Sequence, residues 1–215
     1  MRKVCITIVI TILTVNALAQ QDIEAKSIIT DFSNKVREYT AMQAEFAFSM
    51  IDIREDTRED YEGVIFIKGE KFRIKMFDIE TYFDGETIWN HLIDVQEVNI
   101  AKPDEEDKFF LDAPNKIFFP DENEFKFKFV GETYQDNKTV YEIDLFPRDL
   151  SQEYSRIRLK INKSNMTLIY IEYVRKDGIH YNIKISNLKA NPNLPDSYFT
   201  FNIEDHPDVE VIDLR

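Results

Sequence analysis

The sequence predicts a mainly β protein, a large and strongly curved antiparallel sheet or barrel with helical cover. One helix-period stretch precedes a long run of period-two alternation, and turn-forming dipeptides cut that run into short strands. About ten or eleven strands at this spacing suggest an extensive curved sheet rather than a small sandwich.

Residues 1–19 are expected to be a cleavable secretory signal. Arg2 and Lys3 form a basic start, Val4 to Val15 an apolar run too short to span a bilayer, and Ala17-Leu18-Ala19 a small-residue cleavage site. The one cysteine, Cys5, sits inside that run, so the mature chain is expected to hold no thiol, no disulfide and no lipid anchor. Residues 20–215 then form a single domain, 215 − 19 = 196 residues long, held by its core alone.

Residues 22–40 read as an amphipathic helix. Ala25, Ile28, Ile29, Phe32, Val36 and Tyr39 recur at helical spacing, and Asp22 can cap the start. Beyond it the period falls to two. Met42, Ala44, Phe46, Phe48 and Met50 alternate with polar or small neighbours, as do Phe72, Ile74 and Met76. The same holds for Phe125, Phe127 and Phe129, for Ile157, Leu159 and Ile161, and for Tyr181, Ile183 and Ile185. Asp84-Gly85, Asp136-Asn137, Asn162 to Asn165 and Asp177-Gly178 supply turns. One stretch interrupts the pattern: the acidic run Asp104 to Asp107, then Phe109-Phe110-Leu111, then Pro114 ahead of Ile117-Phe118-Phe119. A short helix over 113–119 is expected there, packed on the dry face of the sheet. The acidic run lacks the alternating ligands and central glycine of a calcium loop.

Charge and motif content exclude several functions. The chain carries 27 basic and 40 acidic residues, a net charge of −13; without Arg2 and Lys3 it is 25 − 40 = −15. Such a surface repels phosphates and anionic head groups, which argues against nucleic acid and against stable membrane association. His91, His180 and His206 fit no metal-ligand spacing, and no nucleophile elbow or phosphate loop occurs. A non-enzymatic protein without cofactor or metal is therefore expected. What the chain does have is 17 Phe and 10 Tyr, many on alternating faces, enough to line an apolar interior.

Gly63-Val64-Ile65-Phe66-Ile67-Lys68 followed by Lys71-Phe72-Arg73, then Asp84-Gly85-Glu86-Thr87-Ile88-Trp89, resembles the strands of the periplasmic lipoprotein carrier family, LolA. Gln96-Glu97-Val98, the Phe199-Thr200-Phe201 ending, Pro207 and Val209 to Asp213 continue that resemblance to the tail. It implies an unclosed antiparallel β-barrel of about eleven strands, covered by the N-terminal helix and the mid-chain helical segment. It also implies a function: a periplasmic carrier that shelters the acyl chains of lipoproteins and moves them from inner to outer membrane. The implied partners are acylated lipoproteins, an inner-membrane lipoprotein-releasing transporter, and an outer-membrane receptor or membrane acceptor, with the carrier a monomer. The alternative within the same fold is an envelope sensor that binds lipids or stray lipoproteins.

With strand faces assigned by parity, the expected acyl-chain cavity is lined by Ile28, Ile29, Phe32 and Val36 of the helix. Opposite them are expected Phe46, Phe48, Ile65, Ile67, Phe72, Ile74, Trp89, Phe127, Phe129, Ile143, Leu145, Ile157 and Leu159. Phe72 matches the family's Phe at the cavity rim, implicated by the resemblance in loading and release. The family also carries an Arg thought to tie the lid shut. Here Lys68-Gly69-Glu70-Lys71-Phe72-Arg73 lacks it, so Lys68, Lys71 or Arg73 can substitute only by facing the lid.

Overall fold

The computed structural model describes residues 22–103 and 114–215. The expected leader, the acidic run 104–107 and Phe109-Phe110-Leu111 lie outside the described residues.

Residues 22–37 form a helix, α1, whose buried stripe of Ala25, Ile28, Ile29, Phe32 and Val36 follows the expected helical spacing. The strands follow: β1 (Met42–Asp52), β2 (Thr57–Lys68), β3 (Lys71–Met76), β4 (Ile79–Phe83), β5 (Ile88–Leu92) and β6 (Glu97–Ala101). A 3-10 turn, Pro114–Phe118, stands where the short helix was expected. Then come β7 (Phe125–Gln135), β8 (Lys138–Pro147), β9 (Tyr154–Asn162), β10 (Thr167–Arg175), β11 (Ile179–Ala190) and β12 (Glu210–Asp213).

All twelve strands of the described residues belong to one sheet, ordered β12-β6-β5-β4-β3-β2-β1-β11-β10-β9-β8-β7. Its edges, β12 and β7, do not pair with each other, so the barrel is unclosed. Eleven strands pair antiparallel, as expected; the twelfth is the tail strand β12, which lies parallel to β6. Tight hairpins set the register. Asp136 and Asn137 adopt φ of 50° and 60°, the paired left-handed conformation that a two-residue hairpin needs and that Asp and Asn tolerate.

The two faces of the sheet differ in what covers them. The inner face and α1 share the main core, which holds Phe32, Phe72, Ile143, Leu145, Leu159 and Ile161, all nearly or fully inaccessible. On the outer face, β3 to β6 are covered by the C-terminal segment 191–209. There Phe201 packs edge-on against Tyr82 at 5.6 Å, within a second cluster of Tyr82, Trp89, Val98 and Ile100. The outer face of β8 to β10 carries ion pairs instead. Arg158 donates to both oxygens of Asp144 at 2.7 and 2.9 Å, Arg156 pairs with Glu172, and Lys160 with Glu142. Glu142 and Asp144 are buried, so this ladder satisfies carboxylates that would otherwise be stranded.

Candidate functional site

The hollow is built from the inner face upward. β1 crosses the middle of the sheet, and Phe46 and Phe48 point inward from it. Gly63 lies opposite Phe46 in the β1–β2 register. A Cβ at that position would run into the Phe46 ring and come within 2.9 Å of the Lys75 carbonyl oxygen, so only glycine lets the ring lie across β2. α1 lies over the inner face as one half of the roof, and the turn Pro114–Phe118 is the other half. The two halves are tied together: buried Ser33 donates from Oγ to the Phe118 carbonyl at 3.0 Å, and Phe32 meets the Phe118 ring at 6.2 Å. Exposed ion pairs, Lys26 with Glu122 and Lys126 with Asp22, join the rim.

One end of the hollow is filled by aromatic rings. Phe48 stacks on Tyr181 at 5.6 Å, and Tyr173 and Tyr154 continue the row at 4.6 Å. Burial pushes the Tyr154 hydroxyl up to about 12, so Tyr154 stays neutral at any physiological pH. Toward the other end a wholly apolar cavity of about 40 Å³ remains, between the turn Pro114–Phe118 and the sheet. It is lined by Phe46, Ile65, Ile74 and Ile171, with Ile183, Ile185 and the turn residues Pro114, Ile117 and Phe118. An apolar cavity of about 150 Å³ holds benzene; this one is smaller than that.

Of the residues expected to line the cavity, Ile28, Ile29, Phe32, Val36, Phe46, Phe48, Ile67, Phe72, Ile74, Phe127, Ile143, Leu145, Ile157 and Leu159 are buried in the main core. Ile65 and Phe129 pack against its edge. Among them Phe46, Ile65 and Ile74 line this cavity, while Ile29 and Phe127 line a separate, more polar opening beside Lys26, Ser33 and Phe119. Trp89 is on the wrong face. The register Arg73↔Tyr82↔Trp89 puts it on the outer side with the C-terminal segment, because the inward residues of β5 are Ile88, Asn90 and Leu92. Phe72 is not at a rim: it is 1% exposed and packs on Phe83 at 5.2 Å.

None of the three cations offered as a lid tie faces the lid. Lys68 and Lys71 both bind Asp196 at 2.8 Å, and Arg73 lies between the Tyr82 and Tyr198 rings, 4.4 Å from each, while donating to Glu80 at 2.5 Å. They fasten the C-terminal segment to the outer face. Ser33 and the Phe118 carbonyl supply the roof tie in their place, a contact between a helix and a turn that no spacing in the chain reveals. Ile171 was also missed. A register shift between Leu168 and Tyr170 reverses the parity of β10, so alternation counted from its start points Ile171 the wrong way.

Among the described residues no cluster of three His, Cys, Asp or Glu is placed to hold a metal, and no helix is long and apolar enough to cross a membrane. The arrangement is one of containment: an open barrel whose apolar inner face is roofed by a helix and a turn. The family model for the outer membrane lipoprotein carrier protein LolA matches residues 37–202, and the chain belongs to that family. An uncharacterized conserved protein from Thermus thermophilus has a similar fold, with a TM-score of 0.61 at 13% identity over 88% of this chain and 99% of its own. The LolA superfamily protein NE2245 from Nitrosomonas europaea matches more loosely, with a TM-score of 0.44 and 15% identity over 82% of this chain and 97% of its own. MucB in complex with MucA(peri) gives 0.45 and 14% identity over 84% of this chain, which spans 60% of MucB. No curated protein sequence matches the chain.

Proposed function

We propose that this protein is a periplasmic carrier, exported by residues 1–19, that shelters lipoprotein acyl chains between the roof and the inner face. It acts as a monomer, receiving cargo from an inner-membrane lipoprotein-releasing transporter and yielding it to an outer-membrane receptor or membrane. The observation that carries the reading is an apolar interior closed largely by side-chain packing of α1 and the turn Pro114–Phe118, with the LolA family match over it.

The energies are compatible with exchange. Ile28, Ile29, Phe32 and Val36 are each buried, and at about 1.5–3 kcal/mol per side chain their burial contributes about 6–12 kcal/mol to closure. A ~16-carbon acyl chain recovers on the order of 13 kcal/mol on leaving water, at about 0.8 kcal/mol per CH₂. An incoming chain therefore replaces the contacts that it displaces, and the hand-over stays reversible. Cargo lies along the α1 stripe and the floor formed by Phe46, Ile65 and Ile74, with Ile171, Ile183 and Ile185 added to the expected set.

Native mass spectrometry of the protein purified from the periplasm tests this, and acylated species are expected to co-elute. Protein that carries no acylated species, and that fails to bind a palmitoyl probe after purification, ends the proposal. Recovery of an anti-sigma factor in place of lipoproteins turns it toward the envelope sensor.

A further inference from the structure

The outer-face cluster holds two histidines that the carrier reading does not use. His91 projects from β5 beneath the C-terminal segment and is 6% exposed. Its Nδ1 is shielded from solvent and finds no hydrogen-bond partner among the described residues. Its ring lies 4.8 Å from that of His206 and 5.1 Å from Phe201, and His206 stacks on Phe201 at 4.7 Å with an interplanar angle of 14°. Two imidazoles in contact, one of them buried, tolerate the neutral state and not two charges.

The surrounding charges are few. From β4, Glu80 lies directly opposite His91 in the register, and its carboxylate is already engaged by Arg73 and Lys75 of β3. From β6 the opposing residue is apolar Val98. In the tail, Glu204, Asp205 and Asp208 flank His206 along the chain and are exposed. Burial lowers the His91 imidazole below its ordinary value; His206 and Lys75 add to this, and Glu80 opposes it.

We propose that the His91–His206 pair makes docking of the C-terminal segment, together with β12 that follows it, pH-dependent: neutral rings hold it on the outer face, and protonation lifts both, uncovering the β6 edge that β12 occupies. The sign follows from linkage. A base harder to protonate when docked stabilises the docked form above the free value of about 6.5, and that stability is lost as pH falls below it.

Trp89, the one tryptophan, belongs to the same cluster and reports the event. Its emission maximum is followed from about pH 7.5 to about pH 5, with far-UV circular dichroism and amide exchange of β12 in parallel. The expected result is a red shift and faster β12 exchange with the dichroism unchanged. In His91→Phe the red shift is lost, and in His206→Gln it moves to lower pH. A flat wild-type emission maximum overturns the proposal, as does an undiminished shift in both variants or loss of dichroism in step with the shift. Should His91→Phe not fold, His206→Gln and β12 exchange carry the test.

Discussion

Truncation of Phe32 to alanine separates closure of the roof from stability of the barrel. The ring is fully buried, sits on α1 and meets Phe118 at 6.2 Å, so its contacts join the roof to the turn and the inner face. Loss of a core Phe side chain costs about 3–5 kcal/mol. If even half of the low end, about 1.5 kcal/mol, falls on the roofed state relative to the raised one, the raised population grows about tenfold. Falling entirely there, it grows by about 10²- to about 5 × 10³-fold, and binding that requires the raised state gains in proportion. The assay is stopped-flow association of a fluorescent palmitoyl probe, beside urea unfolding. Leu159→Ala is the control, since Leu159 is equally buried but lies on β9 in the floor. Both variants should unfold at lower urea, and only Phe32→Ala should bind at least tenfold faster. Equal association rates in the two variants would refute the argument that α1 gates the hollow.

Other outcomes follow from the same geometry. Gly63→Ala should lower stability by about 1–3 kcal/mol through overpacking against Phe46 and the Lys75 carbonyl, measured by urea unfolding; an unchanged midpoint would show that Phe46 can turn into the cavity without cost. Arg158→Ala leaves Asp144 buried without its bidentate partner and should cost about 3 kcal/mol, a loss that Asp144→Asn in the same chain largely relieves in a double-mutant cycle. Asp196→Ala should speed amide exchange in the C-terminal segment while leaving palmitoyl-probe association unchanged, because Lys68 and Lys71 face away from the roof. Burial raises the Glu80 carboxyl, but Arg73 and Lys75 outweigh it and hold the group below its ordinary range. Its stabilisation is therefore complete above the unfolded value of about 4.3 and lost as pH falls through the lower folded one. The difference in melting temperature between wild type and Glu80→Gln should hold steady down to about pH 5 and shrink below it.

Local chemistry along the chain was enough to specify the elements. The stripe Ala25, Ile28, Ile29, Phe32 and Val36 can be dry only on a helix, and Phe72, Ile74 and Met76 only on a strand, because the two backbones repeat at 3.6 and 2 residues. Asp136-Asn137 specifies its hairpin because those side chains tolerate positive φ. Parity even brought most of the expected lining residues to one face. Long-range pairing decided the rest. Trp89 looks outward because its face is inherited through β4 and β3 from Arg73, and Ile171 looks inward because a bulge reverses β10. The tie between Ser33 and the Phe118 carbonyl joins residues 85 positions apart, and the His91–His206 contact joins a strand to the tail. Periodicity is a property of neighbours along the chain, whereas which face is roofed, and by what, depends on contacts that exist only once the sheet has curled.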